Sequence, residues 1–468
     1  MNKIIEGSHA APPRYRMLGL LAVALAVAVA VGGATSRRAQ AVLDPTLPNT
    51  VQQWNKVAED TVVGSGAFQG EGYVYMAYTS AAVYDAVVAI QGGYEPYGPA
   101  IAAPAGASVD AAVVEAAYRT LSTYFPSSCN TTNAPCMALG ASLLTDYNAA
   151  MALIPPGTAK TNGMTVGAAA AAGIVALRTG DGRLTPIATT SPFEKKDPGA
   201  GVWRLTPTAY AAPQTPWLGS VQPFLLKSPG QFKTEPPVPL KSQAWVRAFD
   251  EVKAYGKSDS TVRTADQTAT ANFYTTNVIR QFNRAARDLA TAKNLGLLQT
   301  ARLFAMVNAV GADALMSTLN QKYHFLFWRP VTAIDPTSVT ADGFGPSPTG
   351  FDDGNPATVE QTGWRPLLPT PNHPEYPSAH GTITSGIAEV FSEFLGTDQI
   401  DLDILGSTNA SGNLVAVRHF DTADELRADV VNARTWGGLH YRFSTEAGVQ
   451  LGRKIAHYGL NHAFKATG

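Results

Sequence analysis

From Leu297 to Gln321 the chain sets Leu303, Met306, Val307, Val310 and Ala314 on one stripe at helical intervals. A helix of that length with a single apolar face is stable only when other helices cover it. The chain offers them. Gly72–Ile90 and Val109–Tyr124 are alanine-rich and apolar at the same spacing, and Ala138–Ile154 and Thr165–Arg178 continue the pattern. Gln243–Lys253, Thr264–Phe282, Thr382–Leu395, Ala423–Arg434 and Ser444–Tyr458 read as further helices, and strand signals reduce to a hairpin near Leu405–Val417. The expected fold is mainly α, built as helical bundles. We expect N-terminal helices over residues 42–240 and a second bundle over 241–468. Proline and glycine break the periodicity between Asp181 and Pro239 and again over Asp335–Pro374. The second of these is long enough to read as the wall or lid of a site.

Hydrophobic content is 45% and charged content 15%, the balance of an ordered globular protein. With a formal net charge of −1, nothing in the global balance suits nucleic acid or an anionic membrane, so any anion site must be built locally. Seven of the eight histidines fall between His324 and His462, which points to where.

The N-terminus has the form of an export signal over residues 1–41. Lys3, Arg14 and Arg16 precede the apolar run Met17–Ala34, and Ala39-Gln40-Ala41 is a small-x-small cleavage pattern. The expectation is a secreted or periplasmic protein with no stable membrane partner after cleavage; an uncleaved anchor is the rival reading. The two cysteines, Cys129 and Cys136, sit in one polar loop. After export they are expected to close a small disulfide loop.

Three short stretches carry the chemistry: Lys322–Pro330 (KYHFLFWRP), Pro377–Gly381 (PSAHG) and Arg434–His440 (RTWGGLH). Lys322 and Arg329 are seven residues apart, which on a continuous helix returns both side chains to nearly one face, with Pro330 ending the helix. A solvated cationic face would look the same. Ser378 stands where it could cap a helix, whose free N–H groups and positive dipole end make a seat for an oxyanion, with His380 in its first turn. A plain serine cap with an incidental histidine is the alternative. Arg434 and His440 are six apart, about 120° on an unbroken helix, so their convergence needs the break that Gly437-Gly438 could provide. Otherwise Arg434 pairs with Asp429 or Glu425 on its own helix, and His440 is a satisfied core residue.

Taken together, Lys-x6-Arg-Pro, Pro-Ser-x-His and Arg-x5-His resemble the signature shared by vanadium-dependent haloperoxidases and type 2 phosphatidic acid phosphatase-like acid phosphatases. Tyr73–Ile90, the GVW segment at Trp203 and RTADQTATANF at Arg263–Phe273 are similar to the bacterial secreted haloperoxidase branch. The resemblance implies that Lys322, Arg329, Ser378, the Ala379 N–H and Arg434 hold the oxygens of vanadate or phosphate. It implies His440 as the metal ligand or, in a phosphatase, the nucleophile, and His380 as the acid/base. His373, seven before His380, occupies a place that in the family goes with bromide oxidation. Three departures stand out. Ala379 replaces the usual glycine, Ala433 the usual serine, and Ser444 the carboxylate often found four residues after the last histidine; Glu446 is the candidate substitute.

The resemblance implies a haloperoxidase using vanadate, with hydrogen peroxide, halide and a small organic acceptor as partners; a homo-oligomer is compatible with it. Five-coordinate vanadate has the shape of a phosphoryl-transfer transition state, so one pocket can suit either chemistry. The alternatives are an exported acid phosphatase working through phospho-His440, and a non-catalytic helical envelope protein.

Overall fold

Helices dominate because their apolar stripes close on one another around a continuous core. The computed structural model describes residues 44, 46–126, 134–184, 199–207, 209–338, 352–406 and 416–467. The expected export signal, Cys129, the side chain of Cys136 and part of the long loop before Pro374 lie outside the described residues. Leu43–Gly468 forms one compact unit.

Among the described residues five helices lead: α1 (Thr50–Gly64), α2 (Gln69–Gln91), α3 (Val109–Tyr124), α4 (Ala134–Leu153) and α5 (Thr158–Leu177). After an irregular stretch come α6 (Gln243–Tyr255), α7 (Ala265–Phe273), α8 (Val278–Ala292), α9 (Leu297–Phe325) and the short α10 (Pro330–Ile334). The chain ends with α11 (Ala379–Leu395), a two-stranded antiparallel ribbon of β1 (Gln399–Leu405) and β2 (Val417–Thr422), α12 (Ala423–Trp436) and α13 (Arg442–His462). The expected mainly-α bundle architecture is what forms. The hairpin arms lie on either side of the expected Leu405–Val417, most of whose interior is outside the described residues.

The striped helix α9 is the axis. It packs on α2 from the first group and on α11 and α13 from the last. One apolar core runs through both groups, from Trp54 and Tyr73 to Phe391 and Leu426. The α2 helix is long and apolar enough to cross a membrane, yet it lies inside this core. Asp313 on α9 accepts the backbone N–H groups of Phe224, Leu225 and Leu226 at 2.7, 2.8 and 3.0 Å. This pins the irregular crossing segment onto the axis.

One expected helix is two. Thr264–Phe282 breaks after Phe273, because Asn277 takes an extended backbone and its side chain caps a new helix by accepting from Ile279 N. The cap competes with helix continuation at a residue of low helix propensity.

Candidate active site

The three stretches meet because aromatic residues beside each of them share one core. Phe327 and Trp328 flank Arg329, Tyr376 precedes Ser378, and Tyr441 follows His440; all are buried with Trp245 and Trp364. Trp245 stacks on Trp328 with centroids 5.9 Å apart and reaches Tyr441 at 4.8 Å. Burial of these rings supplies the non-directional drive for convergence. Hydrogen bonds then set the register. Glu375 N donates to Phe327 O at 2.9 Å, and Ser378 N to Ser444 O at 3.1 Å. The Gly201–Trp203 segment is part of this frame: Trp203 N donates to Leu326 O at 2.7 Å and Trp328 N to Gly201 O at 3.3 Å.

Lys322 and Arg329 do converge, but not by helical periodicity. The axis helix stops at Phe325, Leu326 turns the chain with a left-handed φ of 53°, and Arg329 stands as N-cap of α10 with Pro330 at the helix start. Pro330 therefore opens a helix rather than ending one. Lys322 Nζ donates to the carbonyls of Pro374 and Glu375, both at 2.8 Å. Arg329 Nε donates to His373 O at 3.0 Å, so both cations grip the segment leading into Ser378. Both are fully buried. A solvated cationic face is excluded.

Ser378 is the N-cap of α11, its hydroxyl facing Gly381 N at 3.4 Å. It is fully buried, which an ordinary surface cap is not. Ala379 opens the helix and is not among the positive-φ residues, so a methyl at the place of the usual glycine is unstrained. His380 follows in the first turn, half-buried.

Gly437 and Gly438 do break the last stretch. Gly438 adopts a φ of +76°, and a Cβ there would meet Gly256 O at 2.4 Å. The N–H groups of Leu439 and His440 fold back to Arg434 O at 3.3 Å. Asp429 pairs with Arg418 at 3.1 Å, and Glu425 closes the α12 capping box, so neither neutralises Arg434. Arg434 is buried, and its Nε has no hydrogen-bond partner.

The tautomer of His440 follows from its neighbours. Arg329 Nη1 lies 3.2 Å from Nε2, and a guanidinium only donates, so Nε2 is the acceptor. Nδ1 then carries the proton, and it lies 2.8 Å from Glu375 Oε1. Glu446, the expected substitute for the missing carboxylate, is exposed. The carboxylate on His440 is Glu375, which the sequence reading did not single out. His373 Nδ1 lies between a donor, Arg329 Nη2 at 3.0 Å, and an acceptor, the Pro374 carbonyl at 3.2 Å, and the Phe68 ring lies 6.4 Å from the imidazole. Of the seven clustered histidines only His373, His380 and His440 come together; His324, His419, His457 and His462 are exposed.

Burial holds Lys322 well below the ordinary lysine range, with the Arg329 charge adding to it. Burial also brings Arg329 down to about 10 and Arg434 to about 9. His380 and His440 are pushed well below the usual imidazole value, first by burial and then by these cations. Glu375 is raised to about 7 by burial, against the pull of Lys322 and Arg329. A bound oxyanion would favour charged Lys322, so binding takes up a proton once pH exceeds its depressed value. Affinity for sulfate, whose own charge is constant above mildly acidic pH, is therefore expected to fall as pH rises. Titration calorimetry at several pH values checks this; a flat profile would mean Lys322 stays charged throughout.

This geometry can be set beside known proteins. Residues 302–467 match the family model described as the VCPO second helical-bundle domain. This part of the chain is thus similar to the second helical bundle of the vanadium chloroperoxidases. A vanadium chloroperoxidase from Curvularia inaequalis is 28% identical over 179 residues, which span 31% of this chain and 28% of that protein. The chain thus spans less than a third of that relative's length. Across the whole molecule, the crystal structure of the first bacterial vanadium-dependent iodoperoxidase superposes with a TM-score of 0.69 at 21% identity, covering 89% of this chain and 96% of that one. A holo-type bacterial vanadium-dependent chloroperoxidase gives 0.61 at 15% identity, covering 86% and 92%. At these identities the two structures establish the haloperoxidase fold.

Proposed function

We propose that the protein is a vanadium-dependent haloperoxidase that oxidises halide with hydrogen peroxide to hypohalous acid, bromide in preference to chloride, and is exported. The observation that carries it is an uncompensated buried charge. Lys322, Arg329 and Arg434 are buried together, while the carboxylate at the cluster, Glu375, is engaged by His440 and Tyr441 N–H. Burying unpaired cations is costly unless an anion joins them. An oxyanion completes the site, and the Nε2 lone pair of His440, which faces the buried Arg329 guanidinium, adds a ligand suited to a metal.

The donor set fits vanadate. Lys322, Arg329, Arg434, Ser378 and the Ala379 N–H would hold its oxygens, and His440 Nε2 the metal. Bound vanadate supplies a Lewis acid that activates peroxide towards halide without changing oxidation state. His380, neutral at physiological pH because burial and Arg434 disfavour its cation, would accept a proton from incoming peroxide. Lys322 supplies a buried charge to polarise the oxidant. Phe68 lies beside His373 with ring centroids 6.4 Å apart, and the bromide assignment rests on the resemblance at that histidine.

Bromination of a phenolic acceptor that requires vanadate, peroxide and bromide together tests this reading, with chloride and iodide in parallel. Release of p-nitrophenol from its phosphate ester, inhibited by vanadate, would replace it with the phosphatase. Inactivity in both assays would leave a non-catalytic bundle. Export is tested by sequencing the N-terminus of the mature protein, expected after Ala41. Within the proposed reading, Lys322→Ala is expected to lower turnover about 100-fold while weakening vanadate binding less. Equal losses in both would assign Lys322 to binding alone.

A further inference from the structure

Glu375 is fully buried, hydrogen-bonds to the first and third stretches and lies two residues before the second. Its N–H donates to Phe327 O in the first. Its carbonyl accepts Lys322 Nζ at 2.8 Å, with Ser444 Oγ at 3.5 Å. Its carboxylate Oε1 accepts from His440 Nδ1 at 2.8 Å and from Tyr441 N at 3.1 Å. The residue lies three positions before Ser378, so one short segment carries both the helix-capping hydroxyl and this carboxylate. Oε2 is buried with no hydrogen-bond partner. A buried carboxylate with an idle oxygen is a costly choice for packing alone, where an apolar side chain of similar volume serves as well.

We infer that Glu375 is the positioning residue of His440, taking from upstream in the chain the part that a carboxylate four residues downstream of the histidine would otherwise play. Ser444 occupies that downstream place, and its hydroxyl turns to Glu375 rather than His440, 3.5 Å from the carbonyl oxygen and within reach of the carboxylate. Because a carboxylate only accepts, Glu375 keeps the proton on Nδ1 and the lone pair on Nε2, and its second bond from Tyr441 N–H fixes the ring plane relative to the backbone. When an oxyanion draws Arg329 away from Nε2, Glu375 is the contact that still holds the imidazole. The inference rests on the haloperoxidase reading for its consequence, though not for its geometry.

Two substitutions test it. Glu375→Met keeps volume and removes the acceptor; Glu375→Gln keeps an acceptor oxygen and removes the charge. In vanadate-free protein with 15N-labelled histidine, wild-type His440 is expected to show a far-downfield Nδ1 proton, which moves upfield in Glu375→Gln. Vanadate affinity is expected to fall about 10–100-fold in Glu375→Met and to recover substantially in Glu375→Gln. A wild-type His440 without a proton on Nδ1, or a Glu375→Met protein that binds vanadate as tightly as wild type, overturns the inference. Should Glu375→Met not fold, Glu375→Gln decides: an unmoved Nδ1 proton overturns it. If the proton responds as expected while the wild-type protein binds no vanadate, the haloperoxidase reading fails and the positioning role stands.

Discussion

His440→Ala protein is expected to lose vanadium on desalting and to lose brominating turnover by more than about 100-fold. Loss of groups that merely support a ligand already weakens metal sites by about 10–100-fold, so loss of the ligand itself must exceed that. The imidazole is fully enclosed, with Arg329 on Nε2 and Glu375 on Nδ1, and no exposed histidine can replace it from outside. Removing it also leaves Glu375 Oε1 with Tyr441 N–H as its remaining partner. Elemental vanadium content after gel filtration and steady-state bromination check the expectation together. A variant retaining stoichiometric vanadium and full activity would remove His440 from the metal. His324→Ala, a change on the exposed face of the axis helix, is the control expected to behave as wild type.

The same comparison of buried and exposed histidines shows what was legible in the sequence. Helical stripes report burial locally, and so α3 matches its expected limits of Val109–Tyr124 and α9 begins where expected at Leu297. Chain reversals were less legible. Leu326 turns at φ 53°, a conformation that disfavours leucine by about 1–2 kcal/mol. Nothing in a leucine announces such a turn; its burial and the Trp203 N–H on its carbonyl hold it there. Lys322 and Arg329 thus share a site for a reason other than seven-residue spacing. The role of Glu375 was not legible because its partner lies 65 residues away, outside any local spacing around His440. Its position inside the same run as Ser378 and His380 was the available clue. Histidine clustering in sequence overstated the site, since four of the seven face solvent.

The largest stability effect is expected at Gly452, where α13 crosses α11. A Cβ there would lie 2.1 Å from Thr382 O and 2.8 Å from Gly386 N, and both obstacles are backbone atoms that no rotamer change can clear. Gly448 repeats the contact one turn earlier, at 2.5 Å from Ser378 O, so the two helices touch backbone to backbone beneath the site. Gly452→Val must therefore push the helices apart. Overpacking of this kind costs about 1–3 kcal/mol when side chains can adjust, and here they cannot, so a loss above about 3 kcal/mol is expected. Because Ser378 caps α11 and α13 begins just after His440, the displacement would also separate the helix N-terminus from the imidazole. Vanadate affinity should fall along with the unfolding midpoint. Gly173→Ala in α5 is the contrasting case: its Cβ would meet Pro99 Cδ at an ordinary 3.5 Å. That change is expected to raise stability by about 0.4–1 kcal/mol through the unfolded chain. Thermal or denaturant unfolding of both variants decides the matter, and a Gly452→Val protein as stable as wild type would show that the α11–α13 contact is looser than its backbone spacing implies.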